Sequence, residues 1–184
     1  MFTYDLGEGA ALQILELHQA SALLEFVKEN REYLGKWMGW AKDMQTREDA
    51  EGFIKRGLTR FNENGLPWVG IWLEGRMAGG ILFFPVDEAI NSTEIGYWLG
   101  QQVAGRGLMT RALRSMLRYP FEFLKLNRVG LQADVRNIRS RAVAERLGFT
   151  FEGIRRQSWM HDGQLIDLAT YSLLAHEWRE LQQH

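Results

Sequence analysis

Hydrophobic and polar residues trade between two repeats along this chain. Residues 11–17 alternate with the period of a strand, and residues 19–33 repeat at helical spacing with Leu23 and Val27 on one face. An aromatic segment with two glycines follows, Leu34-Gly35-Lys36-Trp37-Met38-Gly39-Trp40. Thr46-Arg47-Glu48-Asp49 has the spacing of a capping box, with Asp where Glu usually stands. Behind it Ala50, Phe53, Ile54, Gly57, Leu58 and Phe61 fall at i, i+3, i+4, i+7, i+8 and i+11, one stripe of a long helix. Residues 68–73 and 77–84 read as strands joined at Glu74-Gly75, and residues 93–99 as the next strand. A glycine-bearing loop leads into a helix over about 107–119. Pro120 kinks or ends that helix, because proline has no N–H to donate. Val129, Leu131, Ala133 and Val135 alternate as a strand. Asn137 then caps a helix that runs to Leu147 and stops at Gly148. Residues 150–160 and 165–173 form a last hairpin turned at Asp162-Gly163, and a short helix from Ala175 closes the chain.

The order β-α-α-β-β-β-α-β-α-β-β is not a strict βαβ alternation. It predicts one mixed α+β domain over residues 1–184, a mixed sheet with helices on both faces. The 184 residues, 46% of them hydrophobic, suffice for a core without disulfide or metal staples. The absence of Cys excludes disulfide frameworks, thiolate zinc sites and a Cys nucleophile. No apolar run reaches the roughly 18 residues that span a bilayer. Met1-Phe2-Thr3-Tyr4-Asp5 lacks the basic and apolar regions of a signal peptide, so the cytoplasm is the expected location.

Charge is unevenly spread. The formal total is -1, yet residues 105–156 hold twelve Lys/Arg against four Asp/Glu, a net +8 that leaves -9 for the rest. Such a split suits a polyanionic cofactor on one part of the surface and a basic substrate near another, although solvated helix faces look the same. Glu25, Glu29, Glu32, Asp43, Glu48, Asp49 and Glu51 gather around the first two helices. A nucleic-acid-binding domain is more often basic throughout, so direct nucleic-acid binding is not expected.

Two stretches carry chemistry. Gln102-Val103-Ala104-Gly105-Arg106-Gly107 joins a strand to a helix. Its glycines let backbone N–H groups converge, the helix N-terminus adds about half a positive charge, and Arg106 adds a point charge; phosphate oxygens seek such a nest. The Lys-Ser/Thr pair of a P-loop is missing, and so is the third glycine of a dinucleotide fingerprint. By itself the turn is equally a tight strand-to-helix connection. About 30 residues later Asn137 and Ser140 share the first face of another helix, which Gly148-Phe149 ends. Taken singly, each of these is an ordinary capping residue.

Together, the two stretches resemble the GNAT N-acetyltransferases, through Gln102-x-x-Gly105-x-Gly107 and Asn137-x-x-Ser140. Within them the chain is similar to the RimJ/RimL group, which acetylates N-terminal amines of ribosomal proteins. That narrower likeness rests on Glu94-Ile95-Gly96-Tyr97-Trp98-Leu99, Leu126-Asn127-Arg128-Val129, Asn137-x-x-Ser140-x-x-Val143 and Trp37-x-x-Trp40. It spans about residues 10–175. The resemblance implies a mostly antiparallel sheet in which two central parallel strands, 93–99 and 128–135, splay apart. It further implies that the pantetheine arm of acetyl-CoA lies there, pairing with backbone near Trp98 and Leu99. The pyrophosphate would rest on N–H groups from Val103 through Gly105, Arg106, Gly107, Leu108, Met109 and Thr110, with Gln102 at the entry. Asn137 would hold the arm from the other strand's side, and a backbone N–H near Leu99 would stabilise the oxyanion.

The sequence also departs from family patterns. The helical Tyr that many members use to protonate the leaving thiolate is Ala144 here, which leaves Ser140 for that role, as in the RimL-type pattern. The Glu base that some RimL-like proteins carry seven residues after a Glu-Gly pair is Trp159 here. Glu94, acting through water, is the first remaining base and Asp167 the second; both have structural readings as well. A peptide α-amine of pKa about 8 is roughly one-tenth neutral at pH 7, whereas a Lys amine near 10.4 is neutral only to a few parts in ten thousand. A site without a strong base therefore favours an α-amine acceptor.

Trp37, Met38, Trp40 and Trp159 are read as lining an acceptor groove, with core packing the competing account. His18, His161, His176 and His184 show no metal-ligand spacing and are read as surface or hydrogen-bonded residues, His161 with a remote acid/base possibility; no metal is expected. Without Cys, direct attack of the amine in a ternary complex is the expected route. Competing readings are a small-amine or antibiotic acetyltransferase and an acyl-CoA-binding regulator without turnover. No membrane partner is expected, and a homodimer is left open.

Overall fold

The computed structural model describes residues 3–183; Met1, Phe2 and His184 lie outside the described residues. The elements are β1 (Thr3–Gly7), β2 (Ala10–Ile14), α1 (Ala20–Gly35), α2 (Gly39–Asp43), α3 (Arg47–Asn64), β3 (Val69–Leu73), β4 (Arg76–Phe83) and β5 (Ser92–Leu99). After them come α4 (Leu108–Arg118), β6 (Arg128–Asp134), α5 (Ile138–Arg146), β7 (Thr150–His161), β8 (Gln164–Leu174) and α6 (Ala175–Leu181). The strands run β1-β2-β3-β4-β5-β6-β8-β7 in one mixed, mostly antiparallel sheet, with β5 and β6 the parallel pair. No described helix is long and apolar enough to cross a membrane.

Packing divides into two compact units. One holds the described residues up to Phe83 together with Tyr97–Ala112; the other holds Phe84–Gly96 and the described residues from Leu113 onward.

In the first unit β1 to β4 form an antiparallel meander. The helical stripes read from the sequence face its core: Leu23 and Val27 of α1 join Ala50, Phe53 and Ile54 of α3, with Trp68 and Trp98. The capping box at Thr46 forms as expected. Thr46 Oγ1 accepts from Asp49 N at 3.2 Å, and Asp49 Oδ2 accepts from Thr46 N at 2.8 Å. Backbone N–H groups of Gln45 and Thr46 hold the Asp49 carboxyl below its usual pKa. The expected strand at 11–17 is shorter. β2 stops at Ile14, Leu15 is buried, and Leu17–Gln19 winds as a 3-10 turn. β1 gave no sequence signal, because four of its five residues are exposed and none is fully buried. Within the aromatic segment at 34–40, α1 runs on to Gly35 and α2 begins at Gly39.

In the second unit β6 pairs with β8 from Arg128–Leu174 to Asp134–Leu168. Tyr171 and Leu173 of β8 and Val129 and Leu131 of β6 are buried. Trp178 of α6 stacks on Phe121, 5.7 Å between ring centroids. Pro120 acts as expected: α4 ends at Arg118, and Tyr119–Phe123 continues as a wider π-helical turn. The β7–β8 hairpin turns at Asp162-Gly163, with φ +48° and +73°. β7 carries two bulges, between Phe151 and Gly153 and between Arg155 and Trp159, and is exposed along most of its length.

Candidate active site

In the first unit the site starts from two glycines of β4. A Cβ on Gly79 would sit 2.3 Å from Trp98 O, and one on Gly80 would sit 2.2 Å from the Trp98 ring. Only glycine lets the end of β5 lie this close. Trp98 is 2% exposed and packs edge-on against Trp40 at 5.2 Å and Phe53 at 5.7 Å. Its side chain thus belongs to the core, and only its backbone remains for a ligand. The Gly100 N–H bonds to Ala78 O at 2.8 Å, on the β4 side. Because N–H groups alternate along a strand, the Leu99 N–H points to the opposite edge of β5. Parallel pairing with β6 covers only Ser92–Arg128, Thr93–Val129 and Glu94–Gly130 before the ladder ends. The expected parallel pair thus forms at the start of both strands.

The glycine loop then turns twice. Gly105 has φ +83° and Gly107 φ +77°, and a Cβ on either would meet nothing within 4 Å. Glycine is needed there for the backbone conformation, and the space above it is open. α4 starts at Leu108 with no acidic residue in its first turn, and Gln102, Gly105, Arg106 and Gly107 are exposed. Val103, Leu108, Met109 and Thr110 complete the segment. With no acidic residue in the helix's own first turn, its first N–H groups can accept an anion.

Two ties of this loop had no sequence signal. Asn30 of α1 accepts from the Gln101 N–H at 3.0 Å and donates its amide to Phe26 O at 2.9 Å. It anchors the loop from 71 positions away, a distance at which local spacing says nothing. Arg111, in the second turn of α4, pairs with Glu8 in the β1–β2 turn, and β1 itself was missed.

In the second unit Asn137 caps α5: its Oδ1 accepts from the Ser140 N–H at 3.2 Å. The turn before it is pinned by Asp134, which accepts from Arg136 N at 2.8 Å and from the Arg136 guanidinium at 2.6–3.2 Å. Arg136 holds the Asp134 carboxyl below its usual pKa, against the opposing effect of burial. Ala144, at the family's tyrosine position, is fully buried packing. Gly148 ends the helix with φ +83°.

Glu94 lies half-buried over Gly130 and accepts from Gln132 Nε2 at 2.7 Å, so its carboxylate is oriented. Asp167 accepts from the Gln157 N–H at 2.8 Å and thereby holds the second bulge of β7. Trp159, opposite Ile166 beside that bulge, is 59% exposed. Trp40 is half-buried against Phe53, and Trp37 is half-buried in the turn that follows α1. The structure therefore gathers Trp40 with Trp98, Asn137 with Ser140, and Trp159 with Asp167. His161 departs from the surface reading: it is 8% exposed, with Nε2 3.7 Å from the Asp162 carboxylate. His18 and His176 are exposed. Among the described residues no three His, Asp or Glu side chains gather as metal ligands.

Comparison with known proteins completes the picture. Residues 12–150 match the family described as acetyltransferase (GNAT) domain. YdaF of Bacillus subtilis (strain 168), a candidate ribosomal N-acetyltransferase by name, is 36% identical over 180 residues, covering 97% of this chain and 98% of that protein. Among solved structures, RimL, a ribosomal-protein α-N-acetyltransferase in complex with coenzyme A, superposes with a TM-score of 0.89. It is 22% identical, and the match covers 96% of this chain and 99% of that one. MccE, a microcin self-immunity acetyltransferase in complex with acetyl-CoA and AMP, gives 0.85 at 26% identity, covering 92% and 94%.

Proposed function

Since this chain belongs to the GNAT acetyltransferase family, we propose that it transfers the acetyl group of acetyl-CoA to the N-terminal α-amine of a protein. Ribosomal proteins are the acceptor class to which its relatives' names point. The carrying observation is the Gly105-Arg106-Gly107 turn, two left-handed glycines opening a helix with no acid in its first turn. It suits the pyrophosphate of a CoA thioester, the form in which the acetyl group arrives activated. Residues 102–110 bind the phosphates through backbone N–H groups and Arg106. The main chain at Trp98 and Leu99 holds the pantetheine arm, and the Leu99 N–H donates to the carbonyl oxygen as it gains charge. Asn137 steadies the arm, and Ser140 supplies a proton to the departing sulfur. The chain works as one domain, in the cytoplasm.

The acceptor class follows from the bases present. Trp159 stands where a Glu base is found in some relatives, Asp167 is committed to the Gln157 N–H, and Glu94 is shared with Gln132. Glu94 relays the amine proton through water, with Asp167 second. A base this modest serves an amine that is already about one-tenth neutral at pH 7. Trp37 and Trp40 of the first unit and Trp159 of the second are the aromatic candidates for contact with the acceptor. The likeness to MccE supports the alternative, a small amine or antibiotic acceptor. A panel measuring CoA thiol release with ribosomal N-terminal peptides, polyamines and amino-nucleotides separates the two. Peptide turnover at least tenfold faster in kcat/KM is the expected result, and turnover confined to small amines overturns the proposal.

A further inference from the structure

Ser140 is only as useful as its direction, and its neighbour in α5 ties the first turn of that helix to the rest of the second unit. Arg141, the next residue of α5, donates from Nη1 to Val135 O at 3.1 Å and from Nε to the Tyr171 hydroxyl at 3.0 Å. Its guanidinium also lies over the Phe151 ring, 5.9 Å from the centroid. Tyr171 is 0% exposed, so its hydroxyl is a fixed point on β8. That hydroxyl donates in turn to Glu145 Oε1 at 3.2 Å. Arg141 and Glu145 stand one helical turn apart on the same face and clasp the hydroxyl from both sides. Val135 belongs to the β6–α5 turn that leads into Asn137. One guanidinium thus ties the turn, the first coil of α5, β8 and β7.

We infer that Arg141, anchored on Tyr171, is a positioning residue that sets the direction of Ser140 for acetyl transfer. The inference rests on the reading of Ser140 as proton donor. Adjacent helical residues project about 100° apart, so fixing the arc of Arg141 fixes that of Ser140. The cap at Asn137 fixes where the helix starts, Val143 and Ala144 bury its later face, and the Arg141 clasp holds the turn that carries Ser140. Lysine keeps the charge, but its three N–H donors radiate from one nitrogen and do not reproduce the fixed Nε and Nη1 positions of the planar fork.

The test is a mutant cycle read as kcat and acetyl-CoA KM on an N-terminal peptide. Arg141→Gln should lower kcat about tenfold to a hundredfold, the scale of a misplacement near 1 Å, with KM unchanged within about twofold. Arg141→Lys should recover part of the loss. Tyr171→Phe removes only the hydroxyl and should show the same split; it carries the test if Arg141→Gln does not fold. In a Ser140→Ala background, Arg141→Gln should cost less than about twofold more, since residues acting as a unit are not additive. If Ser140→Ala itself leaves kcat intact, the proton-donor reading falls and this inference with it. If Ser140→Ala lowers kcat and Arg141→Gln multiplies that loss in full, or moves KM rather than kcat, the inference alone is overturned.

Discussion

Replacing Gly80 by alanine drives a methyl group into the Trp98 ring. The new Cβ would lie 2.2 Å from Trp98 Cζ2 and 2.7 Å from Cε2 and Cη2. Carbon atoms prefer about 3.5–4.0 Å, so the two must separate by roughly 1.3 Å. The ring has no easy retreat, because it is 2% exposed and held by Trp40 at 5.2 Å and Phe53 at 5.7 Å. Overpacking of this kind costs about 1–3 kcal/mol. At this chain length each kcal/mol moves Tm by about 2–4 °C, so thermal unfolding should fall by about 2–12 °C. Trp98→Phe deletes Cζ2 and Cη2, which makes room for the methyl group. That change also destabilises alone, but the double variant should be less unstable than the sum, with a coupling of about 0.5–3 kcal/mol. Urea unfolding of the four proteins measures it. An unchanged Tm for Gly80→Ala, or penalties that simply add, would refute the packing argument for the end of β5.

Gly105→Glu should abolish the stabilisation by acetyl-CoA, which at a hundredfold excess over Kd is about 2.7 kcal/mol for wild type, or roughly 5–10 °C. A full shift in the variant refutes the phosphate cradle. Asp134 has its folded pKa depressed by Arg136, so its contribution is complete above the unfolded value near 3.9 and is lost as pH falls through the folded one. Asp134→Asn should therefore be less stable than wild type at pH 7, with the gap closing below about pH 3.9; a gap unchanged at pH 2 contradicts this. With an α-amine acceptor, kcat/KM should rise about tenfold per pH unit and flatten near pH 8; a rise continuing toward pH 10 indicates a lysine acceptor.

Much of this architecture was legible in local spacing. The Thr46 box, the Asn137 cap, the turns at Glu74-Gly75 and Asp162-Gly163 and the α3 stripe are decided by neighbours within a dozen residues. β1 was not legible, because an exposed edge strand has no buried face to write an alternation. Trp98 was read for its backbone, and that its ring is core follows from contacts with Trp40, Phe53 and Gly80 that local spacing does not give. Asn30, Arg111 and the Tyr171 clasp join residues 26 or more apart, where spacing carries no information. His161 read as surface or hydrogen-bonded, and its burial was not legible because burial at the end of a hairpin depends on what packs there. The glycine turn and the Asn137–Ser140 face were found because each is a backbone requirement expressed by adjacent residue types.

The most direct test uses one peptide with a free N-terminus and an internal lysine, incubated with protein and acetyl-CoA at pH 7, with the acetyl group located by mass spectrometry. The neutral fractions of the two amines differ by more than a hundredfold, and the account predicts at least that preference for the N-terminus. Lysine acetylation at a comparable rate, or acetyl-CoA binding with no transfer to either amine, would contradict it.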